Sequence, residues 1–201
     1  MVYTYKELDI DEIQSWSEEK RNEMMGHLHR LCKRLSDEYT NAIFYRAFRN
    51  EPESIGNIIM KKFTYLGILL NDATIEGFML YDNYPRLPHK VQRYFICATK
   101  GSGRRLNELF EDELIIRTKV YQMAGLFKTN EPTTILLDSV NHPEVIAFHK
   151  KMGYVEAGDL NEQNDTVPMK KILPPVSTPA AAALVGSASG GKRRRYATRK
   201  H

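Results

Sequence analysis

The 201-residue chain has no long apolar run, and its apolar stretches are short and interrupted. A helix that spans a bilayer needs about 20 consecutive apolar residues, so the sequence predicts no membrane segment. The amino terminus, Met-Val-Tyr-Thr-Tyr-Lys-Glu, lacks the apolar region of a secretory signal. We therefore expect an intracellular protein, cytoplasmic or nuclear.

Cysteine is nearly missing, since the chain carries only Cys32 and Cys97. Their wide separation matches neither the spacing of a metal site nor a disulfide framework. The sequence thus predicts no metal and no disulfide, which agrees with a reducing compartment.

Excess positive charge is missing from most of the chain, although the formal net charge is +4. The segment Leu173 to His201 holds six basic residues and no acidic ones, and removing them leaves 23 basic against 25 acidic residues. Its prolines, alanine run and Gly/Ser steps cannot bury a core. We predict a single domain over residues 1–172, followed by a disordered basic tail over residues 173–201.

The tail contains a basic cluster from Lys192 to Lys200. Such a cluster is typical of contacts with nucleic acid or an import receptor. The alternative is a solvated segment that only improves solubility.

Hydrophobic periodicity predicts a helix after Ser17 and a short helix that begins near Pro143 and ends at Gly153. Residues 41–62 fit either a strand or a helix. The loop Tyr84 to Pro88 separates an early hairpin from the central strand. The predicted strands are Val2 to Lys6, Thr64 to Leu70, Thr74 to Tyr81, Gln92 to Ala98, Thr134 to Val140, Tyr154 to Ala157 and Val167 to Ile172.

A long amphipathic helix is predicted between the glycine turn and Gly125, which is placed as a C-cap glycine. The apolar spacing follows the i, i+3/i+4, i+7 rule. The expected buried face is Leu106, Leu109, Phe110, Leu114, Ile116, Val120 and Met123.

The junction between the central strand and this helix has the features of an anion site. A first helical turn leaves backbone N–H groups unpaired, and the helix dipole adds about half a positive charge there. Glycines at the turn remove the Cβ atoms that would keep an anion from the backbone. The alternative is a tight connection with solvated basic residues. The predicted cradle is Lys100, Gly101, Ser102, Gly103, Arg104 and Arg105.

Neither common nucleotide motif is present at this turn. The third glycine of Gly-x-Gly-x-x-Gly is missing, and no Gly-Lys-Ser/Thr follows. Dinucleotides and nucleoside triphosphates are therefore disfavoured as ligands.

Three segments together resemble the GNAT superfamily of N-acetyltransferases. They are Glu76 to Leu80, the Gly101-Ser102-Gly103 turn, and Leu136 to Asn141 followed by Ala147 to Tyr154. The last contains a helix and Gly-Tyr, similar to the family's helix and Gly-Phe/Tyr signature. The turn departs from the family pattern because Ala98 stands where Gln or Arg is usual.

The resemblance implies an α/β (mixed α+β) fold. Its sheet is mixed and largely antiparallel, with a central parallel strand pair and helices on both faces. It implies acetyl-CoA as the cosubstrate, with its pyrophosphate on the predicted cradle. The strand edge at Phe95, Ile96 and Cys97 would pair with pantetheine, in a gap where this strand splays from Thr134 to Val140. Asn141 would reach pantetheine from the mouth of the gap, or would alternatively serve as a plain N-cap.

Two residues are candidates for catalysis. His149 stands where many family members have a tyrosine that protonates the leaving thiolate, and its alternative is a core histidine. Asp138 points from a buried strand near the expected gap, so it is a candidate general base, and its alternative is a structural carboxylate that holds a turn N–H. Glu76 on the hairpin is a second candidate base.

The leading function is therefore an acetyl-CoA-dependent N-acetyltransferase, an acyltransferase that acts on a primary amine of a small molecule or a protein. A competing interpretation is a non-catalytic binding protein, which its basic tail localises to nucleic acid or an acidic partner. A third combines them as an enzyme that its tail brings to nuclear proteins.

Overall fold

The computed structural model describes residues 2–38, 65–84, 87–125 and 132–174. These residues form seven strands and four helices. The strands are β1 Tyr3–Asp9, β2 Tyr65–Asn71, β3 Thr74–Tyr84, β4 Leu87–Ala98, β5 Thr134–Val140, β6 Val155–Glu156 and β7 Thr166–Ile172. The helices are α1 Ile10–Gln14, α2 Glu18–Glu38, α3 Ser102–Met123 and α4 Pro143–Lys151.

The strands form one sheet in the order β1-β2-β3-β4-β5-β7-β6. The β4·β5 pair is parallel, and the other neighbouring strands are antiparallel. The chain crosses between β4 and β5 through α3, as a parallel pair requires. The predicted fold class, a largely antiparallel sheet with a central parallel pair, is confirmed.

Helices cover both faces of the sheet, as predicted. One core lies under α1 and α2, where Leu28 and Ile13 pack against Leu66 and Phe78. The other lies under α3 and α4, where Leu106 and Phe110 join Tyr81, Ile135 and other strand residues. Successive strand residues alternate between these two cores because side chains along a strand point to opposite faces.

Local signals explain several element boundaries. Asp9 caps α1, its side chain accepting a hydrogen bond from the backbone N–H of Asp11 at 2.8 Å. Asp72 turns the β2–β3 hairpin with a φ of 54°, a conformation that Asp tolerates better than most residues. Gly125 (φ 70°) and Gly153 (φ 85°) follow α3 and α4 in the left-handed conformation, as expected of C-cap glycines.

The predicted buried face of α3 is only half right. Leu106, Phe110 and Leu114 are buried, whereas Ile116, Val120 and Met123 are exposed. Past Leu114 the helix buries polar Thr118 instead, whose Oγ1 lies 2.8 Å from both the Leu114 carbonyl and Thr133 Oγ1. A buried hydroxyl thus takes the place of an apolar side chain in the second half of α3, which an apolar pattern does not reveal.

Two predicted boundaries move by a few residues. Leu87 and Pro88 belong to β4 rather than to the loop that follows Tyr84. Leu173, assigned to the tail, is 2% exposed, and its N–H donates to the Thr133 carbonyl at 2.8 Å. The ambiguous segment 41–62 and the basic cluster from Lys192 to Lys200 lie outside the described residues.

The expectation of no disulfide is wrong in this structure. Cys32 of α2 is bonded to Cys97 of β4, with 5.7 Å between their Cα atoms, close to the commonest spacing for a disulfide. The two cysteines are 65 positions apart in the sequence. They meet because α2 packs against β3 and β4, a contact that cysteine spacing does not reveal. The argument from cysteine usage for a reducing compartment therefore no longer holds.

Candidate functional site

Strands β4 and β5 separate partway along their length. They pair in parallel only over residues 90–93 and 134–137. Beyond this point, residues 95–98 pair with β3 and residues 138–140 pair with β7. A gap therefore opens between the carboxyl ends of the two strands.

A β-bulge at Tyr94 lies where the gap begins. Leu80 pairs with Phe95, while its neighbour Tyr81 pairs with Arg93, so Tyr94 is the extra residue of β4. Bulges bend a strand and re-aim its side chains. The bulge accounts for the divergence of β4 from β5.

The predicted pantetheine-binding residues Phe95, Ile96 and Cys97 lie on the diverging part of β4. Each backbone carries an N–H and a C=O that need partners. The described strands pair with these residues on the β3 side but not on the β5 side. This part of β4 therefore follows β3 and not β5, and its contact with pantetheine stays a prediction.

The predicted cradle follows at the end of β4. Gly101 is the N-cap of α3 with a φ of 93°, and no side chain caps the helix there. The Ser102 N–H bonds to the Thr99 carbonyl at 3.0 Å and closes the turn. The following N–H groups, of Gly103 and Arg104, belong to the first helical turn and have no intrahelical acceptor. They can bind an anion.

The charges of the first helical turn itself also favour an anion. The first turn of α3 has no acidic residue, whereas Arg104 and Arg105 are both exposed there. They share one carboxylate, that of Glu108, at 2.8 and 3.6 Å. Cations at a helix N-terminus oppose the dipole, so a bound anion would relieve an unfavourable arrangement. The residues present therefore fit a pyrophosphate group.

The two glycines leave room for a ligand. A Cβ on Gly101 would meet nothing within 4 Å, and its positive φ would strain any other residue. A Cβ on Gly103 would lie 3.5 Å from Cζ of Phe148, an ordinary contact. A small side chain at Gly103 is thus compatible with the fold, since it would meet Phe148 and Ala98 only at ordinary contact distances.

His149 lies inside the core rather than in the gap. It is 4% exposed, and its Nδ1 lies 3.0 Å from an Arg93 guanidinium nitrogen that can only donate. Burial and then the charge of Arg93 lower the pKa of His149 to about 2. At neutral pH the imidazole is therefore uncharged. The burial and the neutral state of His149 favour the core-histidine alternative over the acid role.

Arg93 organises a buried polar network that the sequence analysis missed. Its guanidinium donates to Asn107 Oδ1, and to Tyr154 Oη at 3.2 Å. Asn107 in turn donates to Glu111 at 2.6 Å, and Glu111 pairs with Lys171 at 2.6 Å. The sequence offered one signal, since Asn107 lies beside Leu106 on the apolar face of a helix.

The titration of His149 predicts how stability changes with pH. The unfolded chain binds a proton near pH 6.5, whereas the folded pKa is about 2, so protons favour the unfolded state. The stability that neutral His149 provides is complete above pH 6.5 and is lost below it at about 1.4 kcal/mol per pH unit. Between pH 7.0 and pH 5.5 the contribution of His149 to the free energy of unfolding, measured with urea, should therefore fall by about 1.3 kcal/mol.

His149→Asn is the matched control. The Asn Oδ1 accepts from Arg93 as Nδ1 does but does not titrate, and the other histidines are unchanged. The pH dependence should be flatter in this variant, and an identical dependence would contradict the assignment. Turnover that survives in the same variant would also remove His149 from the chemistry.

Asp138 is exposed on β5, at the level where the strands have separated. It is therefore accessible from the gap, and its role as general base stays a prediction. Asn141 is also exposed, and its side chain donates to Asp165 at 2.9 Å. Its N-cap alternative is wrong because His142 occupies the N-cap position of α4.

Tyr94 is a second polar group at the gap that the sequence analysis did not identify. Burial raises the pKa of Tyr94 to about 12, aided by the charge of Asp82 and a hydrogen bond with it. The charge of Asp138 contributes a smaller increase. Tyr94, Asp82 and Asp138 are thus close together, on the bulge and the strands beside it.

Within the described ranges, no three His, Cys, Asp or Glu side chains are arranged to hold a metal ion. None of the described helices is long and apolar enough to cross a membrane.

No family model and no curated protein matches the chain by sequence. Solved structures do match. Tetrahymena GCN5 is 14% identical, with a TM-score of 0.55 over 86% of this chain and 97% of that one. Aminoglycoside 6'-acetyltransferase type Ii is 16% identical, with a TM-score of 0.53 over 86% and 98%.

A third similar structure is the PaiA N-acetyltransferase from Thermoplasma acidophilum in complex with coenzyme A. It is 12% identical, with a TM-score of 0.51, and the match covers 86% of this chain and 99% of that one. These likenesses span nearly the whole length of each solved structure. The chain has the fold of the GNAT N-acetyltransferases.

Proposed function

We propose that this protein transfers an acetyl group from acetyl-CoA to a primary amine. The observation that carries the proposal is the placement of two features on one strand. The gap beside residues 95–98 and the basic, uncapped start of α3 lie at the same end of β4. An extended ligand with an anionic group at one end matches this arrangement.

The chain's own groups supply binding and polarisation. The N–H groups at the start of α3 hold the pyrophosphate, and the diverging part of β4, residues 95–97, holds the pantetheine amides. An N–H of that part of the strand polarises the thioester carbonyl. The acceptor nitrogen then attacks the carbonyl carbon, the C–S bond breaks, and the thiolate takes up a proton.

Freeing the amine is the more demanding proton transfer. An alkyl ammonium has a pKa of about 10.4, so deprotonating it at pH 7 costs about 4.6 kcal/mol. A thiol pKa of about 8.5 means that the leaving thiolate needs little help. The base is therefore the group to identify, and Asp138 fits because its carboxylate is exposed at the gap.

Asp138→Asn is expected to lower kcat/KM about a hundredfold at pH 7, the low end of what a positioned general base contributes. The deficit should shrink as pH rises because bulk solvent then supplies more free amine. Steady-state kinetics between pH 7 and pH 9 measure both effects. Asp112→Asn, an exposed site on α3, is the control, and an Asp138→Asn variant within twofold of wild type would exclude this base.

Acetyl-CoA titrated into the full-length protein by calorimetry tests the proposal. Binding in the micromolar range is expected, followed by transfer of labelled acetyl to at least one member of an amine panel. The panel includes an aminoglycoside, a peptide α-amine and a lysine side chain. Binding of acetyl-CoA without transfer to any amine would support the ligand site but contradict the proposed enzymatic activity.

The core position of His149 and the alanine at position 98 favour a second candidate, a non-catalytic protein that acts through its basic tail. Nucleic-acid affinity should then fall steeply with salt and disappear when residues 175–201 are deleted. The enzyme instead retains acetyl transfer to small amines after this deletion. The two functions are thus separated by one truncated variant.

A further inference from the structure

Glu76 occupies a β-bulge next to the cradle. Leu69 pairs with Gly77, but the next residue, Leu70, pairs with Ile75, so Glu76 is the extra residue of β3. A bulge frees a side chain from the regular alternation of the sheet. Here the carboxylate is aimed at the turn that joins β4 to α3.

The carboxylate holds both ends of this turn. Glu76 Oε2 accepts from Ser102 Oγ at 3.1 Å and also from Thr99 Oγ1. The two hydroxyls lie 2.9 Å from each other, and the Thr99 N–H donates to the Glu76 carbonyl at 2.8 Å. Thr99 and Ser102 flank Lys100 and Gly101, so one side chain fixes the residues on either side of these two cradle residues.

The charge of Glu76 has the wrong sign for this location. Hydrogen bonds from Thr99 and then Ser102 lower the pKa of its carboxyl, which is ionised at neutral pH. A fixed negative charge beside an anion site repels the ligand. Its charge and its hydrogen bonds therefore act in opposite directions on the cradle.

We infer that Glu76 is a positioning residue for acetyl-CoA, acting through its acceptor oxygen and not through its charge. The oxygen orients the Thr99 and Ser102 hydroxyls away from the ligand side and holds the turn so that the first N–H groups of α3 point at one locus. This inference rests on the proposed function, because it concerns the ligand that the cradle binds.

Two variants separate the oxygen from the charge. Glu76→Gln keeps an acceptor for both hydroxyls and removes the charge, so acetyl-CoA should bind about two- to fivefold more tightly than to wild type. Glu76→Ala removes both, and binding should weaken about tenfold as the turn loosens. Calorimetry on the full-length proteins, with thermal unfolding as the check on folding, gives the two numbers.

The decisive result is that the two substitutions change the affinity for acetyl-CoA in opposite directions. An alanine variant that binds as tightly as wild type, or more tightly, would mean that Glu76 only repels the ligand. A glutamine variant as weak as the alanine variant would mean that the charge itself is needed. Either result would overturn the inference.

A second measurement does not depend on acetyl-CoA. Amide hydrogen exchange at residues 101–104 of the free protein should accelerate severalfold in Glu76→Ala and stay unchanged in Glu76→Gln. This pattern together with no acetyl-CoA binding by wild type would mean that the proposed function has failed while the positioning of the turn stands. Unchanged exchange in Glu76→Ala would refute the positioning role directly.

Discussion

Gly103→Glu is expected to weaken acetyl-CoA binding at least about a thousandfold while the protein stays folded. The substitution would place a negative charge in the first turn of α3, where it would compete with the pyrophosphate for the same N–H groups and repel it. Losing two or three charge-assisted hydrogen bonds, at about 1.5–3 kcal/mol each, is enough for an effect of this size. Calorimetry with acetyl-CoA measures it.

The fold itself should not suffer from this substitution. A Cβ at position 103 makes only an ordinary contact with the Phe148 ring. An acidic residue in a first helical turn also stabilises a helix by about 0.3–1 kcal/mol. The melting temperature of Gly103→Glu should therefore match or exceed that of wild type, which separates a blocked site from a damaged protein.

Two further substitutions at the same position serve as controls. Gly103→Ala should bind within about tenfold of wild type, because it adds one methyl group beside Phe148. Gly103→Gln has the length of glutamate without the charge and should give an intermediate affinity. Full binding by Gly103→Glu would refute the cradle as the pyrophosphate site.

Arg93→Met is expected to destabilise the protein by about 4 kcal/mol, the largest stability effect that we predict. The Arg93 side chain is 2% exposed and donates to Asn107, Tyr154 and His149. Removing one member of a buried charged network costs about 3–5 kcal/mol, since its partners lose their hydrogen bonds. For a domain of this size, the melting temperature should fall by about 10 °C.

A double-mutant cycle distinguishes the network from simple packing. His149→Phe should be costly in wild type, where it removes the acceptor for a buried guanidinium, and much less costly in Arg93→Met. Strictly additive effects would contradict the network. Arg93→Lys should fall between wild type and methionine because one ammonium cannot span the three partners of a planar guanidinium.

The fold class was predictable from the sequence because the decisive signals are local. The hairpin turn at Asp72, Pro143 at the start of α4 and the glycines after α3 and α4 all act through backbone geometry. The second half of α3 was not predictable in this way. Its polar contacts join residues far apart in the chain: Thr118 meets Thr133 just before β5, and Arg117 meets Glu7 of β1.

The site was predictable only where one segment contains it. The cradle lies within a few consecutive residues, so the turn and its charges can be recognised from the sequence. The role of Glu76 could not be recognised from the sequence. Its side chain is directed by a bulge, and the bulge depends on how β3 pairs with β2. The environment of His149 likewise depends on Arg93, 56 positions away in the chain.

The bond between Cys32 and Cys97 offers a way to measure how often the structure around it opens. Both residues are at most 1% exposed, so a reductant reaches the sulfurs only when α2 lifts away from the sheet. The rate at which a small thiol reagent cleaves the bond then reports the frequency of that opening rather than the chemistry of exchange. Cys97 belongs to β4, the strand that lines the gap. The rate of reduction therefore also reports how often α2 leaves the opposite face of this strand.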